Sequence, residues 1–280
     1  MIYKAASKFI IFGICLIIVP LSNAQNNPYK WLESYDSTQC ILNRVEVPNG
    51  YERVETIPGS FADWLRHLPL KKGNPPIRYY NGREKILQDA HYAVVDIDVG
   101  DRDLQQCADA VIRLRAEYLY AAGLYDSIAF NFTSGDRFRY ADWLDGRTPI
   151  INGNKVSWNQ NPTRENNRIN FRAYLDIVFT YAGSYSLSKE LVEVADPESL
   201  QIGDVFIQGG FPGHAVIIVD VARNIRTGRK KFLIAQSYTP AQDIHIIKLY
   251  FGDPWFSLSL ADRLWTMEWV FKSEDLMRFK

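Results

Sequence analysis

Residues 202–221 read Ile202-Gly203-Asp204-Val205-Phe206-Ile207-Gln208-Gly209-Gly210-Phe211-Pro212-Gly213-His214-Ala215-Val216-Ile217-Ile218-Val219-Asp220-Val221, followed after a short polar stretch by Phe232-Leu233-Ile234-Ala235-Gln236. Gly203-Asp204 opens an apolar strand over 205–207, the glycines and proline of 209–213 reverse the chain, and His214 starts a second strand over 215–221. Residues 224–228 make the next turn, so the strand over 232–235 returns antiparallel and ends at Gln236. Centring that turn near Ile225 pairs position 214 with 236, and directly opposite residues share a face. His214 and Gln236 are therefore expected as neighbours. A register slip of one residue would send them to opposite faces.

Working outward, Asp103 and Gln106 have capping-box spacing, and Leu104, Cys107, Ala108, Val111, Leu114 and Tyr118 then repeat at the spacing of a buried helical stripe. Cys107 is expected in the first turn, facing inward. Two readings of it stay open: a small apolar core residue, or a thiol whose thiolate is favoured by the amides of a helix N-terminus. A second stripe, Phe171, Tyr174, Leu175, Val178 and Tyr181, predicts a helix capped by Gly183, with a shorter helix over 187–194. Residues 61–68 form a further amphipathic helix behind Ser60, and strands are expected over 45–47, 51–57, 92–99 and 128–132. Residues 140–162, rich in Trp, Asn and Gly, show little pattern and are expected to form an ordered surface loop, with the lining of a sugar- or peptide-binding groove as the alternative reading. The fold class is α+β, an antiparallel sheet packed against helices.

Composition sets limits on function. Thirty-two Lys plus Arg balance thirty-two Asp plus Glu, so no global field draws the chain to nucleic acid or an anionic membrane. An apolar content of 47% in 280 residues is enough for a substantial core. Lys4 and Lys8, the apolar run 9–20 and Ser22-Asn23-Ala24 have the order of a signal peptide, so residues 1–24 are expected to be removed and no membrane span to remain. Residues 25–280 then form one domain, exported to the periplasm or beyond. Cys15 leaves with the leader; Cys40 and Cys107 are expected as free thiols, with a bridge between them as the alternative. No His-x-x-x-His helix or paired-Cys motif marks a metal site, and no phosphate or dinucleotide loop implies a cofactor. His245 is expected at a strand edge, His67 and His91 in ordinary solvation, and Asp220 paired with a basic neighbour on the hairpin surface.

A histidine that takes a thiol's proton, and a polar group that orients its ring, make the thiol a nucleophile. Cys107, His214 and Gln236 supply these roles in order. Over roughly residues 103–121 and 202–237 the chain resembles papain-like cell-wall hydrolases of the NlpC type and the CHAP (cysteine- and histidine-dependent amidohydrolase/peptidase) group. Gly203-Asp204-Val205-Phe206 and Gly213-His214-Ala215-Val216-Ile217-Ile218-Val219 carry the resemblance. It implies a papain-like core over 100–250 and a Cys107-His214-Gln236 triad, with Gln105 or Gln106 as a candidate oxyanion donor beside a backbone amide.

At whole-chain scale, Asn49-Gly50-Tyr51-Glu52-Arg53, Trp64-Leu65-Arg66, Tyr80-Asn81-Gly82, Asp103 to Ala110, Pro212-Gly213-His214-Ala215 and Ala235 to Gln242 resemble a secreted bacterial family known as domain of unknown function 4846 (DUF4846). That resemblance implies no activity. Two function classes follow: a secreted thiol hydrolase, amidase or peptidase, acting on cell-wall peptide or another envelope peptide, or a non-catalytic envelope binding or assembly protein.

Overall fold

A computed structural model describes residues 27–249, 252–258 and 263–280. The signal-peptide reading of 1–24 lies outside these residues. In chain order the elements are α1 Ile41–Arg44, β1 Tyr51–Arg53, α2 Phe61–Arg66, β2 His91–Val94, α3 Cys107–Ala121, β3 Ala129–Asn131, β4 Arg137–Arg139, α4 Tyr140–Leu144, β5 Arg147–Asn152, β6 Lys155–Gln160, α5 Arg168–Tyr181 and α6 Ser184–Glu190. They continue with β7 Val192–Glu193, β8 Val205–Gln208, β9 His214–Asn224, β10 Lys230–Gln236, β11 His245–Ile247, β12 Arg263–Trp265, β13 Val270–Lys272 and β14 Leu276–Arg278. The class is α+β.

One antiparallel sheet organises the chain, in the order β2-β11-β10-β9-β8-β14-β7. Strand β9 is its spine: His214 to Ile217 pair with β8, and Ala222 to Asn224 pair with β1 further along the same edge. Strand β9 is buried on both faces from His214 to Ala222, with α3 and α2 among the elements packed on it, which is why residues 215–219 are continuously apolar rather than alternating. Ile217 and Ile218 are almost fully buried, each contributing roughly 1.5–3 kcal/mol.

Two glycines in this region are required by geometry. Gly203 has φ +95°, a left-handed conformation that disfavours a side chain. At Gly213 a Cβ would lie 2.6 Å from the Gly210 carbonyl oxygen and 2.8 Å from that of Gln208, so the β8–β9 turn closes only on a bare backbone. Asp204, fully buried, is held by both oxygens to Arg278 of β14 at 2.6 and 2.9 Å, so the Gly-Asp pair ties the sheet together.

Several expectations need correction. Residues 45–47 are not a strand; Val45 follows α1, and its carbonyl is taken by the Arg53 guanidinium at 2.5 Å. The strand expected over 92–99 ends at Val94, because the Asp96 amide turns to the Pro69 carbonyl. Residues 140–162 are not an irregular loop: they form α4 and the β5–β6 hairpin, whose turn is Gly153-Asn154. Gly183 does not cap α5 but starts α6, its amide donating to Ser186 Oγ at 3.0 Å. His245 is not at an edge, since β11 lies between β10 and β2, and His91 is buried rather than solvated. Asp220 does pair with basic groups, but inside the protein, where Arg53 and Arg66 hold it at 2.6 and 2.7 Å.

Candidate active site

Helix α3 begins at Cys107, one residue past its N-cap Gln106, so Cys107 is the first helical residue. Asp103 is not the cap. Its Oδ1 instead accepts from the Gln106 side-chain Nε2 at 3.0 Å and from the Ala241 backbone N–H at 2.7 Å, while the Thr239 hydroxyl donates to Gln106 Oε1 and Ser237 donates to the Gln105 carbonyl. These bonds fasten the start of α3 to the loop that leaves β10. The half-buried Cys107 thiol comes to rest within reach of the backbone N–H of Ala215, the residue that follows His214 in β9.

His214 Nε2 lies 3.0 Å from Gln236 Oε1. The two are not directly opposite as the turn-centred register implied. From Lys230↔Arg223 to Leu233↔Asp220 each pair sums to an odd number, which would place Gln236 on the face opposite His214. A bulge between Leu233 and Ile234 skips Val219, so that Ala235 pairs with Ile217 and Gln236 falls beside Val216, on the same face as His214 and one step diagonal to it. The extra residue creates the contact.

The surrounding hydrogen bonds fix both imidazole tautomers. His245 Nδ1 faces the Asp243 carbonyl at 2.9 Å and therefore carries the proton, leaving Nε2 to accept from Gln236 Nε2 at 3.3 Å. The other amide hydrogen of Gln236 goes to Glu268 Oε2 at 2.6 Å, and Glu268 is paired with the buried Lys85 at 2.5 Å. Gln236 can then only accept from His214, whose proton sits on Nε2 and whose lone pair sits on Nδ1. Tyr238, Trp269 and Phe271 surround the ring, with centroids 4.9, 5.2 and 5.8 Å away.

Cys107 and His214 line one cavity of about 730 Å³, with the fully exposed Phe211 among its walls. A larger recess of about 820 Å³, walled by Trp31, Asp98 and Arg172, contains neither. Gln106 borders the Cys107 cavity, whereas Gln105 does not: it is fully buried outside it, with its donor Nε2 turned to the Asp98 carbonyl at 3.5 Å and Oε1 accepting from Arg113 at 2.9 Å, which removes it as an oxyanion donor. The amides of Cys107, Ala108 and Ala215 are directed at the sulfur instead. Cys40 is also a free thiol, buried beside Pro69 and outside this cavity.

Burial decides the charge state of the pair. It pushes the Cys107 thiol up to about 11, assisted by Asp109 and opposed by the three amides, and pulls His214 down to about 4 against the Gln236 hydrogen bond. The resting pair is a neutral thiol and a neutral imidazole, not an ion pair. His245, lowered to about 3 by burial, is neutral as well. Below pH 6.5 an unfolded chain protonates position 214 while the folded one does not until about 4, so this site loses stability as pH falls through that window. Glu190, pushed up to about 7 by burial, acts in the opposite sense. The expected result is thus a difference: between pH 6.5 and 4, wild type loses more unfolding free energy than His214→Gln, measured by urea titration at each pH.

Lys85, Glu268 and His245 complete this network and were not identified from sequence. Glu268 is 32 residues from Gln236 and 183 from Lys85, so no local pattern links them. Among the described residues no group of three or more His, Cys, Asp or Glu is placed to hold a metal ion, and no helix is long and apolar enough to cross a membrane. No curated protein and no solved structure matches the chain. A family model does match, over residues 41–278, and the chain belongs to the family described as domain of unknown function 4846.

Proposed function

We propose that this protein is an exported thiol hydrolase, an amidase or peptidase of the cell envelope with a papain-like Cys107-His214-Gln236 triad. The observation that supports it most is the network that leaves the His214 lone pair on Nδ1 while His214 shares a cavity with Cys107. His214 Nδ1 takes the thiol proton as sulfur attacks the substrate carbonyl, and the amides of Cys107, Ala108 and Ala215 stabilise the oxyanion. The carbon–nitrogen bond then breaks, His214 returns the proton to the leaving amine, and a thioester remains. Water, deprotonated by the same imidazole, releases the acid and restores the thiol. Export rests on the basic start, apolar run and small residues of 1–24.

The second reading is a non-catalytic envelope binding protein, favoured by the burial that keeps the Cys107 thiol protonated. p-Nitrophenyl acetate separates the two. The hydrolase is expected to form an acetyl thioester on Cys107, seen by intact mass and peptide mapping, with continuing release of nitrophenol. Acetylation no faster than that of a denatured control, with no turnover, sinks the hydrolase.

A further inference from the structure

Asp109, two residues after Cys107 on α3, lies on the wall of the same cavity. It is 5% exposed. Its Oδ2 accepts from the Gln106 backbone amide at 3.1 Å, and its Oδ1 is buried with no hydrogen-bond partner among the described residues. An acceptor in that position costs about 1–3 kcal/mol unless something donates to it, and a carboxylate there requires a positive partner. Among the described residues the cavity offers none: its walls include Asp103 and Asp109 but no lysine or arginine. Asp103 is already committed to Gln106 and Ala241. Phe179, Phe211, Tyr238 and Trp269 supply the cavity's aromatic lining, surfaces on which a cation is favourably held.

We propose that the cavity takes an amide substrate bearing an ammonium group close to the scissile bond, and that Asp109 is the residue that recognises that group. The assignment rests on Cys107 being the nucleophile, because that places the cation within a few atoms of the reacting carbonyl. Burial holds the Asp109 carboxyl well above its ordinary range, and a bound ammonium supplies the charge that would let it ionise. An anionic group at this position would face two carboxyls and no cation.

Three methanethiosulfonates of similar size test this on the whole mature protein: aminoethyl (cationic), ethyl (neutral) and sulfonatoethyl (anionic). Each transfers its thioalkyl group to Cys107 with loss of methanesulfinate, and each rate is divided by that on 2-mercaptoethanol to cancel intrinsic reactivity. The cationic-to-neutral ratio does not depend on the thiolate fraction, so it reads charge recognition alone. We expect a wild-type ratio of about ten, falling to within about twofold of one in Asp109→Asn, which keeps an acceptor for the Gln106 amide. Should that variant not fold, the wild-type cationic-to-anionic ratio decides by itself. A wild-type ratio near one, or a ratio unchanged in folded Asp109→Asn, overturns the assignment. If Cys107 reacts readily with the neutral reagent in a His214-dependent way but shows no preference for the cation, only the substrate class falls. If it is inert to all three, the hydrolase reading falls with it.

Discussion

Replacing His214 with alanine is expected to slow acetylation of Cys107 by p-nitrophenyl acetate by about 10²–10⁴-fold, the usual contribution of a positioned general base. The size follows from the charge state. With the thiol pushed up to about 11, almost no thiolate exists at neutral pH, so the base must remove the proton during attack rather than maintain an ion pair beforehand. Gln236→Ala should cost less. The base survives, but nothing holds its proton on Nε2, and the tautomer with its lone pair on Nδ1 becomes one of two. Stopped-flow nitrophenol release, with circular dichroism confirming each fold, measures both. Equal losses in the two variants would mean that His214 acts through structure and not as a proton acceptor.

Asp220→Ala is expected to lower unfolding free energy by about 3–5 kcal/mol, since it strands two guanidinium groups around a position with no exposure. Arg53 comes from β1 and Arg66 from α2, so the carboxylate joins strand and helix to the back of β9. Asp220→Asn keeps an acceptor and should lose less. Urea denaturation read by tryptophan fluorescence gives the values, and a loss below about 1 kcal/mol for alanine would place the Arg–Asp–Arg cluster among ion pairs of no net worth.

The order β8, turn, β9, β10 was legible because it is written in apolar runs separated by glycine-rich turns, and α3 and α5 because their stripes are long. The His214–Gln236 contact was anticipated with the wrong pairing. Ile218 and Val219 are equally apolar, so nothing marks which residue the sheet will skip, and the turn lies nearer Arg226 and Thr227 than Ile225. The β5–β6 hairpin did carry a signal in Asn152-Gly153-Asn154 with Val156 and Trp158 alternating behind it, masked by the polar residues between. The start of α3 was misplaced because the Asp103 oxygen serves a distant loop, which local spacing does not reveal. Lys85 and Glu268 are beyond any sequence window. Their role depends on the fold bringing three separate segments to one buried point.

The most direct measurement is the rate at which iodoacetamide alkylates Cys107, compared with Cys40, in folded wild type and His214→Ala. Cys40 is fully buried, whereas Cys107 lines the cavity that His214 also lines. The thiol-hydrolase account predicts that Cys107 reacts faster than Cys40 and that its rate falls in His214→Ala while the Cys40 rate does not. Slow and equal labelling of Cys107 in both proteins, with the fold intact, would contradict an activated thiol and leave Cys107 as a core residue of a binding protein.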